Sequence, residues 1–302
     1  MSAEGVTDAG GACPPNASPL PAGVAVVTHN MADGTTVAVL TPRAPQRDAL
    51  AFLGFGGWCS GMELHRLMLL AQTWRARIAV PELPGCSAQP SRILTGHAVA
   101  VARGDFRPLA RQMALNALAC LGRDARPEAV VGYSLGASLA AAALAALDPD
   151  RLPSGITVLV EPVAIRRWNP LTLLYRSRHE DVLAEPTLEW SRGLFPAATP
   201  EIDDQRPQHH LPSLVATGMG LSAGRLLPDL LDGLHRRIDS TVIVVHGTSS
   251  GLSTPGSVHR VIQQVRQVPA RVVDVTVDGG HAFWHSLDRV RDVADQVRAA
   301  WP

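Results

Sequence analysis

The stretch Gly132-Tyr133-Ser134-Leu135-Gly136 has the spacing G-x-S-x-G and joins the apolar, β-branched run AVVGYS (Ala129 to Ser134) to the Ala-rich segment Leu135 to Leu147. A strand that turns at once into a helix presents one residue at the tip of a strained turn. A serine there projects its Oγ outward, and flanking glycines let strand and helix pass closely because they carry no Cβ. The positive end of the helix lies beneath that oxygen and favours negative charge developing near it. The chemistry this predicts is nucleophilic attack by Ser134. The bland alternative is a tight packing turn.

The elements needed to hold such a turn are legible around it. Val24 to Thr28 and Thr36 to Leu40 flank Asp33-Gly34, a strong turn signal, and read as a hairpin. Ala49 to Phe55 is a buried strand, Met62 to Trp74 a helix, and Arg77 to Val80 the next strand. Asp105 can cap a helix running to about Leu121. ITVLVEP, Thr241 to His246 and Arg271 to Val277 are further strands, with helices near Ser257 to Val268 and Leu287 to Ala299. Alternating units with near-continuous apolar strands predict an α/β fold, a mostly parallel doubly wound sheet with helices on both faces. The rhythm breaks over residues 162–237, where Pro, Arg and His accumulate and helical pieces such as Leu171 to Arg176 and Leu226 to Arg237 stand out. Ordinary connections take about 2 to 6 residues, so this stretch reads as an inserted helical cap between core segments 23–161 and 238–302. Residues 1–22 read as a disordered tail, since they lack the basic start and apolar run of a signal peptide.

Composition narrows the partners. Lys plus Arg and Asp plus Glu are 27 each, which provides no basic footprint for nucleic acid. The chain has no lysine at all and much alanine, as expected from a GC-rich bacterial genome. No apolar window is long enough to span a membrane, so the expectation is a cytoplasmic protein with a neutral small-molecule partner. Cys13, Cys59, Cys86 and Cys120 form no C-x-x-C pair and have no zinc-finger spacing, so no metal or redox cofactor is implied. Homodimerisation is left open.

The motifs together resemble the α/β-hydrolase superfamily from about Val24 to the C-terminus, and in its order: GFGGW, PELPG, GYSLG, HGTSS and GGHAFWH after the third, fourth, fifth, seventh and eighth strands. The resemblance implies an α/β-hydrolase fold with Ser134 as nucleophile and His281 as general base. An oxyanion hole follows from it, with one N–H from Leu135 and one from Trp58 or Gly57 in the loop after the third strand. Cys59 in that loop reads as filler rather than a thiol nucleophile. His285 is a rival base. His209 and His210 point apart as neighbours and read as cap surface, while His29 and His246 end strands.

One expected residue is missing. In VVHGTSSGL the family's usual acid position holds Ser250, which cannot carry the charge a triad requires. Glu161, closing the apolar strand ITVLVEP next to the nucleophile strand, is the candidate replacement, since some lipases and lactone hydrolases of the superfamily draw their acid from there. Asp278, a cap carboxylate, a salt bridge of Glu161 to Arg166 or Arg167, and no acid at all are the alternatives. A serine rather than an aspartate nucleophile argues for acyl transfer. The expected function is hydrolysis of an ester, lactone or thioester of a hydrophobic small molecule, with Leu174, Tyr175, Trp190 and Phe195 of the cap lining the pocket. A non-hydrolytic lyase or cyclase of secondary metabolism, kept alive by Ser250, and an inactive ligand-binding member are the alternatives.

Overall fold

The computed structural model describes residues 23–59, 61–87, 89–153, 155–180 and 208–301. Eight strands form the main sheet: β1 (Val24–Asn30), β2 (Thr36–Pro42), β3 (Arg47–Phe52), β4 (Ala76–Pro81), β5 (Ala129–Tyr133), β6 (Ile156–Val160), β7 (Ser240–Gly247) and β8 (Ala270–Val277). Their order is β1-β2-β4-β3-β5-β6-β7-β8. β2 runs antiparallel to β1 and β4, and every other neighbouring pair is parallel. The α/β-hydrolase fold read from the motifs is the fold observed.

Parallel strands covered on both faces must be apolar on both, and the two sides divide by residue parity. Val131, Val158, Val160, Ile243 and Val245 face one core, under helices α1 (Gly61–Trp74) and α9 (Leu287–Ala300). Val130, Leu159, Val242 and Val244 face the other, with α3 (Arg107–Leu121), α4 (Leu135–Ala146), α7 (Leu226–His235) and α8 (Pro255–Val265). Residues Leu135 to Ala145 of α4 are all buried, so its alanines set how closely it packs. Between β6 and β7 stand a helix over residues 170–180, α5, and α6 (Leu211–Ser222), which packs on α2 (Thr95–Ala102). A two-residue antiparallel ladder joins Cys86–Ser87 to Gln208–His209. The chain then returns along α7, which packs on α4. The tail over 1–22, Trp190 and Phe195 lie outside the described residues. No helix among the described residues is long and apolar enough to cross a membrane.

Candidate active site

Three parallel strands end in step. Tyr133 pairs with Val160, and Val160 with Val245, so the next residues, Ser134, Glu161 and His246, stand side by side at the carboxyl edge of the sheet. Ser134 and Glu161 each step into positive φ, 55° and 49°, immediately after their strand. That region is unfavourable for side chains bearing a Cβ, and residues held there cluster at functional sites. Each keeps its backbone N–H on the neighbouring strand: Ser134 N donates to Val160 O at 2.8 Å and Glu161 N to Val245 O at 2.8 Å. Ser134 heads α4. A Cβ on Gly132 would lie 2.1 Å from Gly136 O, and one on Gly136 would lie 2.0 Å from Phe52 O, so both glycines of the motif are required by backbone contact.

His281 reaches this edge from the end of β8, beyond β7. Its loop passes directly over the end of β7, where a Cβ on Gly247 would meet Gly279 O at 2.3 Å. The result is a continuous row: His281 Nε2 lies 3.0 Å from Ser134 Oγ, and His281 Nδ1 lies 2.7 Å from Glu161 Oε2. Glu161 is completely buried. Its Oε1 accepts the Gly247 N–H, and its Oε2 also accepts the Ser250 hydroxyl at 2.6 Å. Ser250 itself accepts the Ser253 N–H at 2.9 Å. The residue at the superfamily's usual acid position is therefore a hydrogen-bond donor to the carboxylate that lies one strand over. Asp278 is exposed and paired with Arg289, away from this row.

Aromatic packing fixes the His281 loop. Tyr133 stacks on His281 and on Trp284, each at 5.5 Å between ring centres, and its hydroxyl donates to His281 O at 3.2 Å. His285 is engaged elsewhere, with Nδ1 2.8 Å from Arg66 Nη2. Burial first, then the charges of Arg66 and His281, hold its pKa well below the usual histidine range. In the loop after β3, Gly54 lies against the nucleophile. A Cβ there would lie 2.9 Å from the Tyr133 ring and 3.5 Å from Ser134 Cβ. The Gly57 N–H is already given to Gly54 O at 3.0 Å. This corrects its expected role as a free oxyanion donor: a tight turn consumes it. Glu82 of PELPG, buried, accepts the Cys59 N–H at 2.9 Å and so anchors the far end of the same loop. Burial, Glu82 and Glu63 push the Cys59 thiol well above its ordinary range, which opposes a thiolate there.

A profile of the alpha/beta hydrolase family matches residues 50–296, most of the chain. The chain belongs to that family. Among solved structures it is similar to a thioesterase domain from the curacin biosynthetic pathway (16% identity, 92% of this chain and 99% of that one, TM-score 0.53). It is also similar to an esterase from Pyrobaculum calidifontis (20% identity, 93% and 85%, TM-score 0.53). A third is a soluble variant of monoglyceride lipase from Saccharomyces cerevisiae (14% identity, 94% and 98%, TM-score 0.59). At such identities these likenesses concern the fold. No curated protein sequence matches significantly.

Of the residues expected to line a pocket, Leu174 and Tyr175 stand on α5. They are 57% and 73% exposed, whereas Leu173 and Glu180 of the same helix are buried. The Leu174 and Tyr175 side chains both face solvent in this structure. Tyr175 stacks on His179. Trp190 and Phe195 lie outside the described residues. His210 is bonded to Ser213 at 2.8 Å, and His246 to Asp274 at 3.1 Å. Sequence reasoning passed over Tyr133, Glu82 and Glu180. Tyr133 stood inside the motif, and PELPG was noted without its carboxylate; no local pattern marks Glu180.

Proposed function

We propose that the chain is a serine hydrolase of an ester, lactone or thioester of a hydrophobic small molecule, with Ser134, His281 and Glu161 as its triad. The observation that supports this is the unbroken row from Ser134 Oγ through both imidazole nitrogens to Glu161 Oε2. Along it, His281 Nε2 takes the hydroxyl proton as Oγ attacks the substrate carbonyl carbon. The tetrahedral intermediate collapses, the bond to the leaving oxygen or sulfur breaks, and the imidazolium returns its proton to that atom. Water then enters, gives a proton to Nε2 and attacks the acyl carbon; Ser134 leaves with its proton restored and the carboxylic acid is released. Glu161 orients the Nδ1–H and stabilises the imidazolium while remaining a carboxylate.

The tetrahedral oxyanion needs two fixed donors. Leu135 N–H, on the first residue of α4, is one. For the second we favour Phe55 N–H over Trp58, because Phe55 directly follows Gly54, the residue against Ser134. The Phe55 side chain, 47% exposed beside that turn, supports an apolar substrate. Ser250 no longer motivates a non-hydrolytic reading, since its hydroxyl serves Glu161.

A fluorophosphonate probe tests the reading. Peptide mapping should find the adduct on Ser134, with none in Ser134→Ala. A folded wild-type chain that takes no label would overturn the proposal. Turnover of p-nitrophenyl esters, macrolactones and acyl thioesters then identifies the bond cleaved.

A further inference from the structure

We infer that Glu180 is a positioning residue for His281, through which helix α5 becomes part of the catalytic apparatus. The inference rests on the hydrolase reading for its kinetic consequence and on geometry for its basis. Glu180 lies in the helix over residues 170–180 and is 4% exposed. Its Oε2 accepts the backbone N–H of His281 at 2.8 Å, and its Oε1 accepts the backbone N–H of Gly251. One carboxylate thus clamps two loops far apart in sequence: the loop after β8 that carries the base, and the turn after β7 that carries Ser250, the hydroxyl donor to Glu161.

The residues around the clamp leave room for it and add a further tie. A Cβ on Gly251 would lie 2.7 Å from Glu180 Oε1, and one on Gly280 would lie 2.8 Å from Oε2. Neither glycine has a positive φ, and a side chain at either would have to displace the carboxylate end of Glu180. One turn earlier on the same helix, Arg176 Nη1 donates to Gly251 O at 2.8 Å, so both peptide groups flanking the Gly251 Cα are held from one helix. Bonds from backbone N–H to an ionised acceptor are stronger and shorter than neutral ones. Two of them on one rigid group fix the spacing between the His281 loop and the Ser250 turn. That spacing decides whether the imidazole meets Ser134 and Glu161 together.

Glutamine at 180 is nearly isosteric but can accept at only one of the two oxygens, its amide NH₂ facing a backbone N–H. Glu180→Gln should therefore loosen His281 without emptying the site. Misplacing a catalytic group by about 1 Å costs on the order of 100-fold, so labelling of Ser134 by the fluorophosphonate should slow about 10- to 100-fold. The loss should appear in kcat for an ester substrate with KM little changed. In a His281→Ala background the same substitution should slow labelling no further, whereas a general loss of folded protein would act in both backgrounds. Gly280→Ala, which drives a methyl group against Oε2, provides a second route to the same loss should Glu180→Gln fail to fold. Proton NMR gives a readout free of turnover: the Nδ1–H proton held between His281 and Glu161 should resonate far downfield in wild type and broaden away in both variants. Folded variants with wild-type labelling and an unchanged resonance would overturn the inference, as would equal slowing in the His281→Ala background. A wild-type chain that takes no label counts against the hydrolase reading alone, because the resonance still reports whether Glu180 holds the ring.

Discussion

Glu161 receives three donors on two oxygens, and two of them, the His281 imidazole and the Ser250 hydroxyl, share Oε2. They should differ in what their loss does. Glu161→Gln sets an amide NH₂ or an unsuitable tautomer against Nδ1, and kcat/KM should fall by about 10⁴, as when the triad acid of a serine protease is made an amide. Ser250→Ala leaves the Glu161–His281 contact intact and removes one donor, so kcat/KM should fall only about 10-fold, the equivalent of one hydrogen bond. Steady-state kinetics on one ester decides the order, and a larger loss from Ser250→Ala would place the acid elsewhere. Ser134 and Glu161 were legible in the sequence, one from its five-residue spacing and the other as a charge closing an apolar strand. Glu82 and Glu180 were not. Their partners are backbone N–H groups 23 and 101 residues away, and no residue type advertises such a pairing.

At the level of elements, the strands were readable because a parallel strand covered on both sides has to be apolar throughout. The ladder of Cys86–Ser87 with Gln208–His209 was not, because two residues carry no period. The helix over Leu211–Ser222 and the one over Thr95–Ala102 also went unnamed. They pack on each other through Gly220, where a Cβ would lie 2.2 Å from Val101 O, and a lone glycine signals no partner. Arg237 shows what joins the layers: buried, its guanidinium donates to the carbonyls of Leu144, Leu147, Leu152 and Gly233. It therefore satisfies the last turn of α4 and ties α7 to it. Burial, then the charge of Arg236, lowers its pKa to about 10, which leaves it charged at neutral pH. Arg237→Leu strands those carbonyls and should cost about 3 kcal/mol. Urea denaturation measures this, and a change within error would mean that water replaces the guanidinium.

For the whole molecule, formal charges cancel at 27 against 27 with the 11 histidines neutral, so the response to mild acid depends on how the folded chain holds its histidines. His285 is one of them. Its folded pKa is depressed by burial, Arg66 and His281, so below about 6.5 the unfolded chain binds a proton that the folded chain refuses. Stability should then decline as pH falls from 6.5, with a slope from this residue of at most about 1.4 kcal/mol per pH unit. Melting temperatures of wild type and His285→Gln between pH 7 and 5 should diverge in slope, and parallel curves would exclude His285 as the cause. Chain order has a further effect through the overpass at Gly247 and Gly279. Ser134 and Glu161 precede residue 162 in the chain, but His281 follows later and must cross a strand that is itself completed only at residue 247. On the proposed triad, a chain cut before that overpass would hold Ser134 and Glu161 without the imidazole that bridges them, and so should take no fluorophosphonate label.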